Sequence, residues 1–365
     1  MPKVLYIASH RRNRSPSQRF RFEQYMDYLK QHGYDYHFSY LISEQDDKIF
    51  YQPGNFLNKA RIFLKSAYKR WTDVIDENIR HYDIVFIQRE AFMTGSSFFE
   101  RRFKKSNAKI IFDFDDAIWH MDVSEANRTF SWLKNPGKTV TIIALSDLVF
   151  AGNSYLAAFA RQFNENVVVI PTTLDTDYHV PAGKQGERNS LCIGWTGSIT
   201  TIKHFELAVP VLKALKEKYG EKIHFKVIGD SSYRNRELGI TGAAWNLKNE
   251  IEELHAIDIG IMPLPDDEWS KGKCGFKALQ YMSLEIPAVI SPIGVNTEIV
   301  SDGENGFLAS GKDEWVEKIS RLVDSPELRK EMGKKARQTV IERYSVESQK
   351  ENYLKYFNML AGIGA

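Results

Sequence analysis

The chain has 365 residues, 43% of them apolar and 13% aromatic, enough to bury sizeable cores and suited to two domains of a soluble globular protein. A net charge of only +2 gives no reason for a nucleic-acid partner, and Cys192 and Cys274, far apart and in no CxxC or CxxxH pattern, exclude a disulfide framework and a zinc site. No apolar run approaches the length of a membrane span and no signal peptide precedes the opening strand-like run, so the cytoplasm is the expected compartment.

In chain order, strand-like runs at residues 4–7, 84–87, 110–112, 148–150 and 167–170 alternate with helical patterns such as 20–31, which describes a parallel sheet covered by helices. The loop after the first strand, S-H-R-R-N-R-S-P-S-Q-R-F-R over residues 9–21, lies at the sheet's ligand-binding edge. There Ser15, Ser17 and Gln18 can cap the next helix or bind hydroxyls, while Arg19 and Arg21 can hold a phosphate-bearing acceptor or nearby carboxylates; a solvent-exposed arginine loop is the competing reading. Arg89, at the end of the strand 84–87, is a similar acceptor-side candidate.

Charge is unevenly placed: residues 1–170 carry 24 Lys/Arg against 19 Asp/Glu, residues 171–365 carry 25 against 28. Residues 57–70 contain Lys59, Arg61, Lys65, Lys69 and Arg70 without one acid, interleaved with Phe63 and Tyr68 and followed by Trp71. A basic amphipathic segment of this kind, residues 57–71, can make a peripheral contact with an anionic membrane surface. It also fits a solvated helix face whose aromatics enter the core.

The run F-D-F-D-D-A-I-W over residues 112–119 puts Asp113, Asp115 and Asp116 within four positions, where they repel one another unless cations or hydrogen bonds hold them. One reading is a Mg²⁺ site, as in metal-dependent transferases or phosphatases of the haloacid dehalogenase type. The other, which we favour, has the cluster facing an interdomain cleft, where it binds acceptor hydroxyls or pairs with the basic residues of the first loop, with Asp113 or Asp115 beside the acceptor and Asp116 among the acceptor-binding residues. One aspartate can also cap the following helix.

Residues 173–189 lose periodicity and read as a linker between a domain over 1–172 and a second over 190–344. The second domain repeats the alternation, with strands near 191–195, 224–228, 257–262 and 286–290 and helices near 204–219, 245–254 and 276–284; two charged helices over 314–344 and a last amphipathic helix over 345–362 follow. Gly197 and Ser198, in I-G-W-T-G-S, and Gly229, in I-G-D, stand just beyond strands, where open α/β sheets bind ligands.

Residues 271–300, K-G-K-C-G-F-K-A-L-Q-Y-M-S-L-E-I-P-A-V-I-S-P-I-G-V-N-T-E-I-V, are the most informative stretch. Gly272 and Gly275 let the backbone pass close to a ligand, Phe276, Ala278, Leu279 and Met282 form a helical apolar face, and the first amides of that helix attract anions. Lys271, Lys273 and Lys277 bring three cations to the helix start, where they oppose the macrodipole unless an anion such as a ligand phosphate compensates. An ordinary αβ unit with a polar loop is the bland alternative.

Tyr281-Met282, Pro287-Ala-Val-Ile290, Gly294, Glu298-Ile-Val300 and the D-G-x-N-G-F-L segment at residues 302–308 resemble the nucleotide-sugar-dependent glycosyltransferases of family 4, over most of the chain. The resemblance implies the GT-B architecture, two Rossmann-like domains of parallel α/β sheet facing an interdomain cleft, with the last helix packing back on the first domain. It implies a nucleotide-diphosphate sugar as donor, no cofactor and no metal, retention at the anomeric carbon, a glycan or lipid-linked acceptor, and a place in cell-surface polysaccharide assembly. The donor site would comprise Gly197, Ser198, Gly229, Gly272, Lys273, Cys274, Gly275, Phe276, Gln280, Gly294 and Glu298. Lys203 matches the family's diphosphate-facing lysine, and Lys277 or Lys273 would supply the charge of an arginine that Ser198 replaces. Gln280 and Gly272 stand where the family's two signature glutamates are expected; Gln280 can still hydrogen-bond a ribose, Gly272 cannot. A non-catalytic nucleotide-sugar-binding protein is a further alternative.

Overall fold

The computed structural model describes residues 1–52, 54–120, 135–183 and 190–363. They form two compact units, Met1–Thr172 with Gln349–Ala365, and Thr173–Ser348.

The first unit is built on a six-stranded parallel sheet of order β2-β1-β3-β4-β5-β6, with β1 at Lys3–His10, β2 at Asp35–Ile42, β3 at Ile84–Gln88, β4 at Lys109–Phe114, β5 at Leu148–Ala151 and β6 at Val167–Val169. β3 and β5 are buried along their whole length, as strands covered on both faces must be. β2, D-Y-H-F-S-Y-L-I, pairs as an edge strand with β1 and is only partly buried. Its polar residues hid it from an apolar-run reading.

The helix expected over 20–31 is divided into Pro16–Arg19, a 3₁₀ turn at Glu23–Tyr25, and Met26–Gln31. Gln18 and Glu23 turn inward to bond the preceding loop instead of lining one helical face. The basic segment forms the helix Phe56–Asp73, which buries Ile62, Ser66 and Arg70. Of its aromatics, Phe63 packs edge-on against Phe92, whereas Tyr68 and Trp71 remain exposed, so the expectation that they enter the core is corrected. From the helix Val346–Ala361, Tyr353 stacks on Tyr25 at 4.2 Å and Phe357 lies 6.3 Å from Phe86, completing the aromatic core of the first unit.

The second unit has a five-stranded parallel sheet of order β13-β12-β11-β7-β8: β7 at Leu191–Thr196, β8 at Ile223–Ile228, β11 at Ile259–Met262, β12 at Ala288–Ile290 and β13 at Phe307–Leu308. A small antiparallel pair, β9 at Arg234–Asn235 and β10 at Ile240–Thr241, stands apart from it. The helix expected over 204–219 is two, Ile202–Glu206 and Val209–Tyr219, because Pro210 has no amide to continue the first and suits the opening turn of the second.

Residues 173–183 pack within this unit. Arg337 donates to the carbonyls of His179 at 2.8 Å, Thr176 at 3.3 Å and Ser283, and His179 is buried. The remainder of the expected linker, 184–189, lies outside the described residues. No helix among those described is long and apolar enough to cross a membrane.

Candidate functional site

The second unit gathers its polar chemistry at the carboxyl ends of β7, β8 and β12. Gly197 and Gly229 let two of these loops touch. A Cβ at Gly197 would overlap the Trp195 ring, and one at Gly229, whose φ is +119°, would overlap the Gly197 carbonyl. The third loop joins through Gly294, at φ +55°, where a Cβ would fall 2.6 Å from the Lys271 carbonyl oxygen.

Helix Phe276–Ser283 is fixed against the end of β7 by Tyr281, whose hydroxyl accepts from the Thr196 amide at 2.9 Å. Gly275 precedes the helix at φ +66°, with Ile299 occupying the space a Cβ would need. Gly272 differs: its φ of −74° is one any residue adopts, so no left-handed backbone calls for a glycine there. Cys274 is nearly buried and Phe276 half-buried beside it, Gln280 is buried in the helix, and Glu298 is exposed on the short helix Asn296–Ile299.

The cations are regrouped by the fold. Lys271 pairs with Glu268 at 2.7 Å, which draws it from the trio expected at the helix start. Lys203 takes its place. Together with Lys273 and Lys277 it acts electrostatically on His204, whose pKa is lowered to about 4, first by burial and then by Lys277, Lys273 and Lys203, with Asp267 opposing. Lys277 Nζ lies 5.6 Å from the centroid of the buried Trp195 ring, and Lys273 Nζ lies 4.7 Å from that of Trp269.

Ser198 is exposed; its amide donates to Thr201 Oγ1 at 2.9 Å, and its hydroxyl lies 3.0 Å from that of Thr200. His204, Trp195 and Thr201 were missed from sequence, since a lone histidine, tryptophan or threonine carries no spacing signal.

In the first unit the arginines and carboxylates meet. Asp113, at the end of β4, is buried with Arg21, which donates through Nη2 at 2.5 Å and Nε at 3.2 Å and also reaches the Ile170 carbonyl. Burial raises the Asp113 pKa while Arg21 opposes the rise. Arg89, at φ +61°, donates to Asp115 at 2.8 Å and Asp116 at 2.5 Å, and their charges raise its pKa against burial.

Two expectations are corrected here. Arg21 and Asp113 are enclosed by the fold and engage each other, the alternative in which a first-loop arginine holds the carboxylates, so neither is presented to an acceptor. Asp115 and Asp116 are held by Arg89, so the three form one ion-paired group instead of an open carboxylate cluster; among the described residues no set of three His, Cys, Asp or Glu is arranged to hold a metal.

The first loop is also internally tied. Gln18 accepts from the His10 amide at 2.9 Å and donates to its carbonyl at 2.8 Å, and Asp47 receives Arg11 at 2.9 Å and Arg14 at 2.5 Å. Ser15 Oγ lies 3.1 Å from Ser17 Oγ and makes no cap, while the Arg19 guanidinium lies 4.7 Å from the Phe20 ring centroid. His10, nearby, has its pKa lowered to about 4 by burial and then Arg14.

The sequence profile described as glycosyl transferases group 1 matches residues 184–339, which hold every element of the lysine site. Over those residues the chain is similar to the group 1 glycosyltransferases. It is 27% identical over 218 residues to a D-inositol 3-phosphate glycosyltransferase of Stackebrandtia nassauensis, a match covering 51% of this chain and 48% of that one; the chain thus spans about half the length of that relative. Among solved structures, the sucrose-phosphate synthase of Thermosynechococcus elongatus superposes with a TM-score of 0.72 at 13% identity, over 100% of both chains. Anabaena HepE, solved in complex with UDP-glucose, gives 0.65 at 12% identity, over 98% of this chain and 99% of that one. These likenesses show the GT-B fold.

Proposed function

We propose that this protein transfers a sugar from a nucleotide-diphosphate sugar to a glycan or lipid-linked acceptor, with retention and without a metal, in cell-surface polysaccharide assembly. The observation that carries the reading is the convergence of Lys203, Lys273 and Lys277 about His204, beside glycine-shaped loops and a helix start. HepE, of the same fold, supports it through the UDP-glucose named with its structure.

Breaking the bond between the anomeric carbon and the diphosphate leaves the electron pair on the phosphate oxygen. The lysines and the first amides of helix Phe276–Ser283 are suited to that growing charge. The acceptor oxygen then bonds to the anomeric carbon and its proton passes to the departing phosphate, so no strong protein base is required.

A membrane surface is the second part of the proposal. Leu57, Leu64 and Tyr68 are 89%, 68% and 71% exposed, lie three to four residues apart with Arg61 and Trp71 on the same stripe, and Trp71 stacks on the exposed Phe98. Arg61, and Lys65 although it is bonded to Asp46 at 2.6 Å, are the cations this stripe offers an anionic headgroup layer. This face would place the enzyme at the inner side of a membrane carrying a lipid-linked acceptor.

The test of the donor reading is a thermal-shift screen with UDP, GDP, ADP, TDP and CMP and their sugars, each in EDTA and in Mg²⁺, on wild type and Lys277→Ala. A nucleoside diphosphate that stabilises wild type equally in EDTA, and Lys277→Ala far less, is expected. Stabilisation only with Mg²⁺ would overturn the metal-independent mechanism, and binding without transfer or slow hydrolysis would leave a nucleotide-sugar-binding protein.

A further inference from the structure

Within the lysine site lies a group that the transfer chemistry above does not use. His204 sits on the helix Ile202–Glu206 and is 4% exposed, and its Nδ1 is buried without a hydrogen-bond partner among the described residues. Four charged groups act on it: Lys203 from its own helix, Lys273 from the loop ahead of helix Phe276–Ser283, Lys277 from that helix, and Asp267 from the cap of Glu268–Lys271. Three positive charges against one negative disfavour a further cation, so in the empty site the imidazole is neutral. A doubly charged anion among those lysines cancels the local excess of positive charge and so removes the repulsion that disfavours a protonated imidazole.

We propose that His204 is the proton-accepting residue of this site: as a dianion settles among Lys203, Lys273 and Lys277, the imidazole forms an N–H bond at Nδ1 with one proton taken from solvent. The site thereby gains a fourth positive charge only when it is filled, and anion binding strengthens as pH falls through the neutral range. The pKa of about 4 without an anion agrees with the geometry. The proposal depends on the nucleotide-sugar reading only for which anion binds.

The experiment is an NMR titration of the histidine imidazoles of the full ¹⁵N-labelled chain from pH 4.5 to 8.5. It is run alone, with sodium sulfate, and with UDP-glucose, GDP-mannose, ADP-glucose and TDP-glucose in turn. Neither sulfate nor the esterified diphosphates titrate in that window, so any proton taken up belongs to the protein. His204→Gln assigns the signal among the nine histidines. The expected result is a His204 midpoint that moves up by about two units, from about 4 to about 6 or higher, with bound anion, and affinity about twofold or more tighter at pH 6 than at pH 8 in wild type and pH-independent in His204→Gln. An anion that binds without moving the midpoint overturns the proposal, as does the same pH dependence in His204→Gln. Because the midpoint is read in wild type, a misfolded variant does not spoil the test. Sulfate moving the midpoint while no nucleotide sugar binds would keep His204's role and sink the donor reading; nucleotide-sugar binding with a still midpoint would do the reverse; no anion binding at all overturns both.

Discussion

Arg21 and Asp113, 92 residues apart in sequence, form an ion pair closed inside the first unit, with Nη2 and Nε of the arginine both directed at Oδ1. Removing one partner strands the other's charge, so Asp113→Asn is expected to lower unfolding free energy by about 3–5 kcal/mol, and Arg21→Met with Asp113→Leu to recover most of it. Urea unfolding of the three variants checks this. A catalytic or metal-binding aspartate would instead lose activity at unchanged stability.

Gly294 and Gly311 both have positive φ, +55° and +68°, but only Gly294 faces backbone, at 2.6 Å from the Lys271 carbonyl; Gly311 faces open space. Gly311→Ala is expected to cost about 1–2 kcal/mol from the left-handed conformation alone. Gly294→Ala should cost more, because the lysine loop must also move aside. Paired unfolding curves, with the nucleotide-induced thermal shift recorded on each, measure the difference, and a smaller shift in Gly294→Ala is expected.

His204 also links stability to pH in the absence of ligand. Its folded pKa of about 4 lies below the unfolded value of about 6.5, so the unfolded state binds more protons between them. Stability is therefore full above about pH 6.5 and falls as pH drops toward 4, by about 2 kcal/mol at pH 5 from this residue. Urea unfolding at pH 7.5 and pH 5 should show a smaller loss in His204→Gln than in wild type. His10 adds a similar dependence in the first unit.

Leu64 and Tyr68 lie on the outer stripe of helix Phe56–Asp73, so Leu64→Ser with Tyr68→Ser should leave the unfolding midpoint nearly unchanged. Binding to phosphatidylglycerol vesicles should weaken by about tenfold or more, judged by co-sedimentation. Equal binding of wild type and variant would remove this face from the proposal, and undiminished binding to neutral vesicles would remove the role of Arg61 and Lys65.

Local rules made both parallel sheets legible, because strands such as β3 and β5 in the first and β11 in the second are short buried runs that a one-dimensional pattern suffices to see. They failed at β2, whose tyrosines, histidine and serine suit a partly exposed edge. They also failed at the helix expected over 20–31, where Gln18 and Glu23 serve the neighbouring loop.

By itself the sequence determined the alternation of strand and helix, the glycines at the turns, and a lysine-rich segment opening a helix. All are properties of a residue and its near neighbours. Tertiary structure decided among the pairings the sequence left open: Lys203, Lys273 and Lys277 all act on His204 while Lys271 goes to Glu268, and Arg21 and Arg89 divide the three aspartates between them. Long flexible side chains can reach many partners, and only the packing of distant strand ends brings one of them within hydrogen-bonding distance.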